Sequence, residues 1–145
     1  MLPSFFLYPG QQICSIFQLQ STLMAHAINW FEIHAVDFER AKKFYETVLD
    51  ITMTLPFPEM KYAMFPADVM NGEVGGGLME EDGYEPSEKG SIIYLNGGED
   101  LSVPLGRVEA AGGKIIMPKT SLGPNGFMAH FLDTEGNRVA FHSMK

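Results

Sequence analysis

The chain has little of what would mark a disulfide scaffold, a nucleic-acid binder or a membrane protein. Its 145 residues include one cysteine, Cys14, so no internal disulfide can form. The residues around Cys14 carry no charge, whereas a reactive thiolate needs a cationic neighbour or a helix N-terminus, so this thiol reads as inert. Cations are scarce: 10 Lys and Arg stand against 18 Asp and Glu, a formal net charge of −8. Lys42-Lys43 is the only adjacent basic pair, and a field of this sign repels nucleic acid and anionic membrane surfaces. The apolar N-terminal stretch is interrupted by Pro9-Gly10-Gln11-Gln12, which leaves no run able to span a bilayer. It also has no Lys or Arg before Arg40, and so lacks the positive start of a secretory signal. A cytoplasmic protein is expected. No HxxxH, HxH or cysteine cluster appears, so no dedicated metal motif is present.

What is there reads as one globular domain. Hydrophobic residues make up 46% and charged residues 19%, which suits a packed core rather than disorder. Met24 stands just before the patterned region. Residues 1–24 are therefore expected to be an extension outside the domain, as an upstream start codon would produce, with a single domain over 25–145.

Within that domain one pattern occurs twice. From Ile28 to Val36 the chain alternates, with Phe31, Ile33 and Ala35 on one face and Trp30, Glu32 and His34 on the other. Asp37 is placed to cap a helix whose apolar stripe is Phe38, Ala41, Phe44, Tyr45, Val48 and Leu49. Glu39 and Lys43 have the spacing of a favourable pair on its outer face. Strands are expected over Thr52–Phe57, Lys61–Phe65 and Val74–Met79, punctuated by Pro56, Pro58 and Pro66. Residues Glu80 to Lys89 are a charged linker. The pattern then returns: a strand Ser91–Leu95, a helix starting near Asp100 or Ser102 and ended by Gly112-Gly113, then strands Lys114–Met117, Phe127–Leu132 and Arg138–Ser143. The last two form a hairpin. The order is βαβββ twice, about 28–80 and about 90–144, with a repeat distance of roughly 60 residues. The fold class is α+β: two modules forming a curved mixed sheet around a concave cup.

Two stretches carry a resemblance. One is Asp37-Phe38-Glu39-Arg40-Ala41-Lys42-Lys43-Phe44-Tyr45, a DxxRAxxFY helix entry that follows the Trp30–Val36 strand. The other runs from Val108 through Gly112-Gly113 and Pro118-Lys119-Thr120 to Asp133-Thr134-Glu135-Gly136-Asn137, a DxEGN hairpin. Together they resemble the vicinal-oxygen-chelate superfamily, which includes glyoxalase I, bleomycin-resistance proteins and extradiol dioxygenases. The resemblance spans about Ile28 to Ser143. It implies a homodimer, and in the superfamily's metalloenzymes it implies metal ligands on the first and last strand of each module. Those positions fall here on Trp30, Ser91, Ala140 and within Gly75-Gly76-Gly77. Indole, alanine and glycine offer no side-chain lone pair, and a serine hydroxyl is a poor ligand for Zn, Ni or Fe. No metal and no other cofactor is expected, although a shifted site of Glu32, His34 and His142 is conceivable.

The expected cup lies between the first and last strands. Trp30, Ser91, His130, Arg138 and His142 are its candidate ligand-binding residues, with Ile93 and Leu95 beside Ser91. Glu32 and His34 are candidate catalytic residues, because an enclosed carboxylate and imidazole can hold tuned proton affinities. Each has a plainer alternative: Trp30 as a plug, Glu32 and His34 paired with Arg138 as a structural network, and His130 as a satisfied core histidine. Gly75-Gly76-Gly77 suggests a bulge or room beside the cup, and Pro118–Gly126 either a lid using Lys119 or Thr120 or a simple connection. The leading functional reading is a metal-free small-molecule binder of the bleomycin-resistance kind. The alternative is a lyase, isomerase or dioxygenase of the same superfamily, using Glu32 and His34 or a displaced metal.

Overall fold

Alternation decides which way the first strand faces. In β1 (Trp30–His34) Ile33 is buried and Phe31 packs on the core, while Glu32 on the other face is exposed. The computed structural model describes residues 26–145; the expected N-terminal extension and Cys14 lie outside them. Asp37 ends the strand in an extended conformation, and its carboxylate accepts the Arg40 N–H to start α1 (Phe38–Leu49). Five residues of α1 are buried: Phe38, Ala41, Phe44, Tyr45 and Val48. Each large apolar side chain among them contributes about 1.5–3 kcal/mol by leaving water. The ion pair within α1 is half-buried Lys42–Glu46 at 2.9 Å, with Glu46 also accepting the Met53 N–H, and the expected Glu39–Lys43 pair is not formed.

The first sheet is completed by β2 (Tyr62–Met64) and β3 (Gly75–Met79), in the order β1-β3-β2. β3 runs parallel to β1 and antiparallel to β2. The strand expected over Thr52–Phe57 is reduced to one bridge, Thr54 to Met64, since prolines 56 and 58 remove ladder donors. The three glycines form no bulge; they pair in continuous register with Trp30, Phe31 and Glu32.

The second module holds β4 (Ile93–Asn96), α2 (Ser102–Val108), β5 (Lys114–Ser121), β6 (Phe127–Leu132) and β7 (Arg138–Ser143), with sheet order β4-β7-β6-β5. β5 extends through Lys119 and Thr120, so these residues belong to a strand with two register shifts and not to a lid. Lys119 is held by Asp100 at 2.7 Å and lies over the Phe127 ring.

The chain is α+β, with the two modules joined through their helices. α1 lies between the sheets: Tyr45 meets Phe65 of the first module, and Phe44 meets Phe131 of the second. Arg107 of α2 donates to the carbonyl of Val48. One hydrophobic cluster includes buried residues of both modules. No described helix is long and apolar enough to cross a membrane.

Polar contacts lock this arrangement at the β6–β7 turn. Asp133 is buried; it accepts the Tyr45 hydroxyl at 2.6 Å, the Glu135 and Asn137 backbone N–H groups, and the Asn137 amide. Glu135 accepts both a bidentate pair from Arg40 and the Val36 and Asp37 N–H groups. Burial alone would raise the Glu135 carboxyl, but Arg40 and these N–H groups hold it below its ordinary range.

Two outcomes follow for stability. Tyr45→Phe leaves Asp133 short of a donor and is expected to cost about 1.5–3 kcal/mol, read as a lower urea midpoint with an unchanged slope. Because Glu135 is depressed in the folded chain, its contribution is complete above about pH 4.5 and is lost as pH falls through the lower folded value. Glu135→Gln is expected to flatten that acid limb in denaturation curves taken across pH 3 to 6.

Candidate functional site

The faces turned away from the shared core are where chemistry is available. On the first sheet this face carries Trp30, Glu32 and His34 from β1, Gly75, Gly77 and Met79 from β3, and Tyr62 and Met64 from β2. The indole of Trp30 lies on Gly75, where a Cβ would overlap its ring. Tyr62 reaches across Gly77 in the same way, and its hydroxyl donates to Glu32 at 3.2 Å. Burial, then the Glu32 carboxylate, raises the Tyr62 phenol above its ordinary range, which keeps it a donor. His34 stacks on Tyr84 of the linker, with centroids 4.9 Å apart, and its Nδ1 is buried without a partner.

The open face of the second sheet has the same design. Tyr94, Ala140 and His130 form one row across β4, β7 and β6. Ala140 is too short to intervene, so Tyr94 and His130 meet above it with Oη and Nε2 3.0 Å apart. Arg138 donates through Nε and Nη2 to Nδ1 of His130, at 3.1 and 2.9 Å. Burial, then the Arg138 charge, lowers the proton affinity of His130, so the ring stays neutral. His142 lies on the same face, and its Nε2 donates to the Asn125 carbonyl at 2.8 Å.

Several expected groupings are not assembled. Glu32 and His34 do not pair with Arg138; Tyr62, Tyr84 and His130 take those places. Ser91 precedes β4 and is exposed, and the register turns Ile93 and Leu95 to the core, so Tyr94 occupies the open face instead. Glu32, His34 and His142 form no metal-sized cluster, and no group of three or more His, Cys, Asp or Glu does so among the described residues. The superfamily's ligand positions do not fit a divalent ion: Trp30 is packed onto Gly75, and Ala140 lies under the Tyr94–His130 contact. Cavities of about 520 and 160 Å³ lie beside the 80–85 linker, and neither is lined by Trp30, Glu32, His130, Arg138 or His142.

The residues missed in the sequence were Tyr62, Tyr84 and Tyr94. For Tyr94 the signal was ambiguous, since Ile92-Ile93-Tyr94-Leu95 is apolar at every position and a one-residue slip exchanges its faces.

Two related modules, βαββ and βαβββ, each with a sheet open on one side and a helix on the other, define a paired-module α+β protein. The chain belongs to the glyoxalase/bleomycin resistance protein/dioxygenase superfamily, whose model matches residues 27–141. A glyoxylase-like domain-containing protein of Didymella fabae is 32% identical over 120 residues, 78% of this chain and 90% of that protein. Among solved structures, a glyoxalase/bleomycin resistance protein from Albidiferax ferrireducens aligns over 80% of this chain and 97% of its own, with 15% identity and a TM-score of 0.63. A fosfomycin resistance protein from Listeria monocytogenes aligns over 83% and 92%, with 15% identity and a TM-score of 0.59. At such identity the likeness to these structures is one of fold.

Trp30 is the only tryptophan, so its seat on Gly75 has a direct readout. Gly75→Ala is expected to displace the indole, shift its emission maximum and cost about 1–3 kcal/mol, with the far-ultraviolet circular dichroism unchanged.

Proposed function

We propose that this chain binds a small organic molecule against the open faces of its sheets, without the divalent metal of its metalloenzyme relatives. The supporting observation is the replacement of ligand positions by contacts. Trp30 sits on Gly75 and the Tyr94–His130 pair covers Ala140, yet aromatic rings and hydrogen-bonding groups remain on the faces. Such surfaces recognise planar or polar ligands by stacking and a few directed hydrogen bonds. The role is sequestration or carriage, as in the bleomycin-resistance kind of protein, in a cytoplasmic setting. A second copy of the chain would enclose the ligand. β1 and β4 each lie at the edge of their sheet, and their outer sides face no strand among the described residues.

An acid–base enzyme using Glu32 and His34 is the alternative. It has less support, because Glu32 is engaged by Tyr62 while His34 is stacked on Tyr84.

A ligand screen followed by Trp30 fluorescence tests the first reading. Saturable quenching is expected in untagged protein stripped with a chelator, with the ligand recovered unchanged, in a species that sediments as a dimer. Turnover that disappears in Glu32→Gln would establish the enzymatic alternative. Affinity that returns only with stoichiometric Zn, Ni or Fe would overturn the metal-free reading.

A further inference from the structure

The first open face is built of rings, small residues and one carboxylate. The register across β1, β3 and β2 sets Trp30, Glu32 and His34 beside Gly75, Gly77 and Met79, with Tyr62 and Met64 beyond them. No Lys or Arg stands in these rows. Glu32 forms no ion pair among the described residues, whereas Asp37, Glu46, Glu80, Asp100 and Glu135 each hold a Lys or Arg.

The group that holds Glu32 is neutral. The Tyr62 hydroxyl donates to Oε1 at 3.2 Å, and Oε2 has no partner among the described residues. A phenol gives the carboxylate one hydrogen bond and leaves its charge in place. Glu32 is also exposed, so lone pairs of both its oxygens stay accessible from the open side of the sheet. The face therefore carries one full negative charge that is positioned and not neutralised.

The rings gather around that charge. Burial and then Glu32 raise the Tyr62 phenol, while the Trp30 side chain, as a hydrogen-bond donor, acts on the same group with the opposite sign. Trp30 and Glu32 thus meet at one phenol oxygen, which brings indole and carboxylate to the same spot on the face. Gly75 and Gly77 make the convergence possible, since a Cβ at either would overlap Trp30 or Tyr62. Phe57 adds a third ring, its centroid 6.2 Å from that of Tyr62, and it is 48% exposed. Ring faces and a carboxylate both attract a cation, and Glu32 repels an anion.

We infer that Glu32, with Trp30 and Tyr62 beside it, forms a cation-recognition site on the open face of the first sheet, taking the protonated amino group of a small organic ligand. The ammonium donates to the Glu32 carboxylate, and the neighbouring rings take its apolar part. The site rests on the reading of the open faces as ligand-binding surfaces, and it names the charge that one of them selects.

Benzylamine, protonated at neutral pH, and its neutral counterpart benzyl alcohol are titrated into the ¹⁵N-labelled full chain. The readout is the indole N–H resonance of Trp30, the only tryptophan. Benzylamine is expected to shift it saturably, with benzyl alcohol at least ~tenfold weaker, the factor carried by one charge-assisted hydrogen bond. Glu32→Gln keeps an acceptor for Tyr62 on an exposed side chain, and it is expected to weaken benzylamine about tenfold without loss of fold. Glu39→Gln removes the same charge from an exposed position on α1 and is expected to leave the affinity within about twofold, as a screened surface charge does. Equal affinity for the two probes overturns the inference, as does benzylamine binding unchanged in Glu32→Gln. An equal loss in Glu39→Gln would overturn it too, by tracing the attraction to the net charge of the chain. If another ligand quenches Trp30 while benzylamine leaves the indole resonance in place, the cation site fails and the broader binding reading stands. If nothing in the screen binds anywhere, both fail.

Discussion

The docking of the β6–β7 turn onto the start of α1 is the contact on which the rest of the chain depends. Asp133 receives Tyr45 from the middle of the helix, while Glu135 receives Arg40 and the two N–H groups that lead into its first turn. The Asn137 amide reaches back to the His34 carbonyl at the end of β1. One five-residue turn of the second module thus holds the strand end, the helix entry and the helix body of the first. Beneath it Phe44 and Tyr45 insert between the sheets, so polar locking and apolar burial act on the same helix. A buried carboxylate that lost its donors would be left costly and unpaired, which makes the interlock cooperative.

With the modules held back to back through their helices, each sheet presents one free face. Both faces use the same device: a small residue on the central strand lets longer side chains from the flanking strands meet above it. Gly77 permits Tyr62 to reach Glu32, and Ala140 permits Tyr94 to reach His130. The outcomes differ in charge. The first face ends on a carboxylate, the second on a guanidinium.

Much of this was legible in the residues, and the exceptions have physical causes. Long alternating or helical runs, such as Trp30–His34 and Phe38–Leu49, declare their inner faces because burial is one-sided. Thr52–Phe57 promised a strand from its composition, but its prolines allowed only one bridge. Lys119 and Thr120 read as loop residues because Pro118 and Gly123 flank them, yet pairing with β6 carried the strand past Pro118. Ser91 takes the superfamily's first-strand position by resemblance, in a segment without alternation, where only the ladder with β7 settles the register.

By itself the sequence determined the two modules, the helix between them, the residues that bury α1, and the lack of donor side chains at the superfamily's metal positions. These depend on local periodicity and on residue chemistry, which travel with the chain. Tertiary structure alone decided that the two motifs DxxRAxxFY and DxEGN are halves of one contact. It also decided that Tyr94 replaces Ser91, and that Arg138 faces His130 rather than Glu32. Partners 88 or 95 residues apart are chosen by which sheets and helices pack together, and no spacing along the chain encodes that choice.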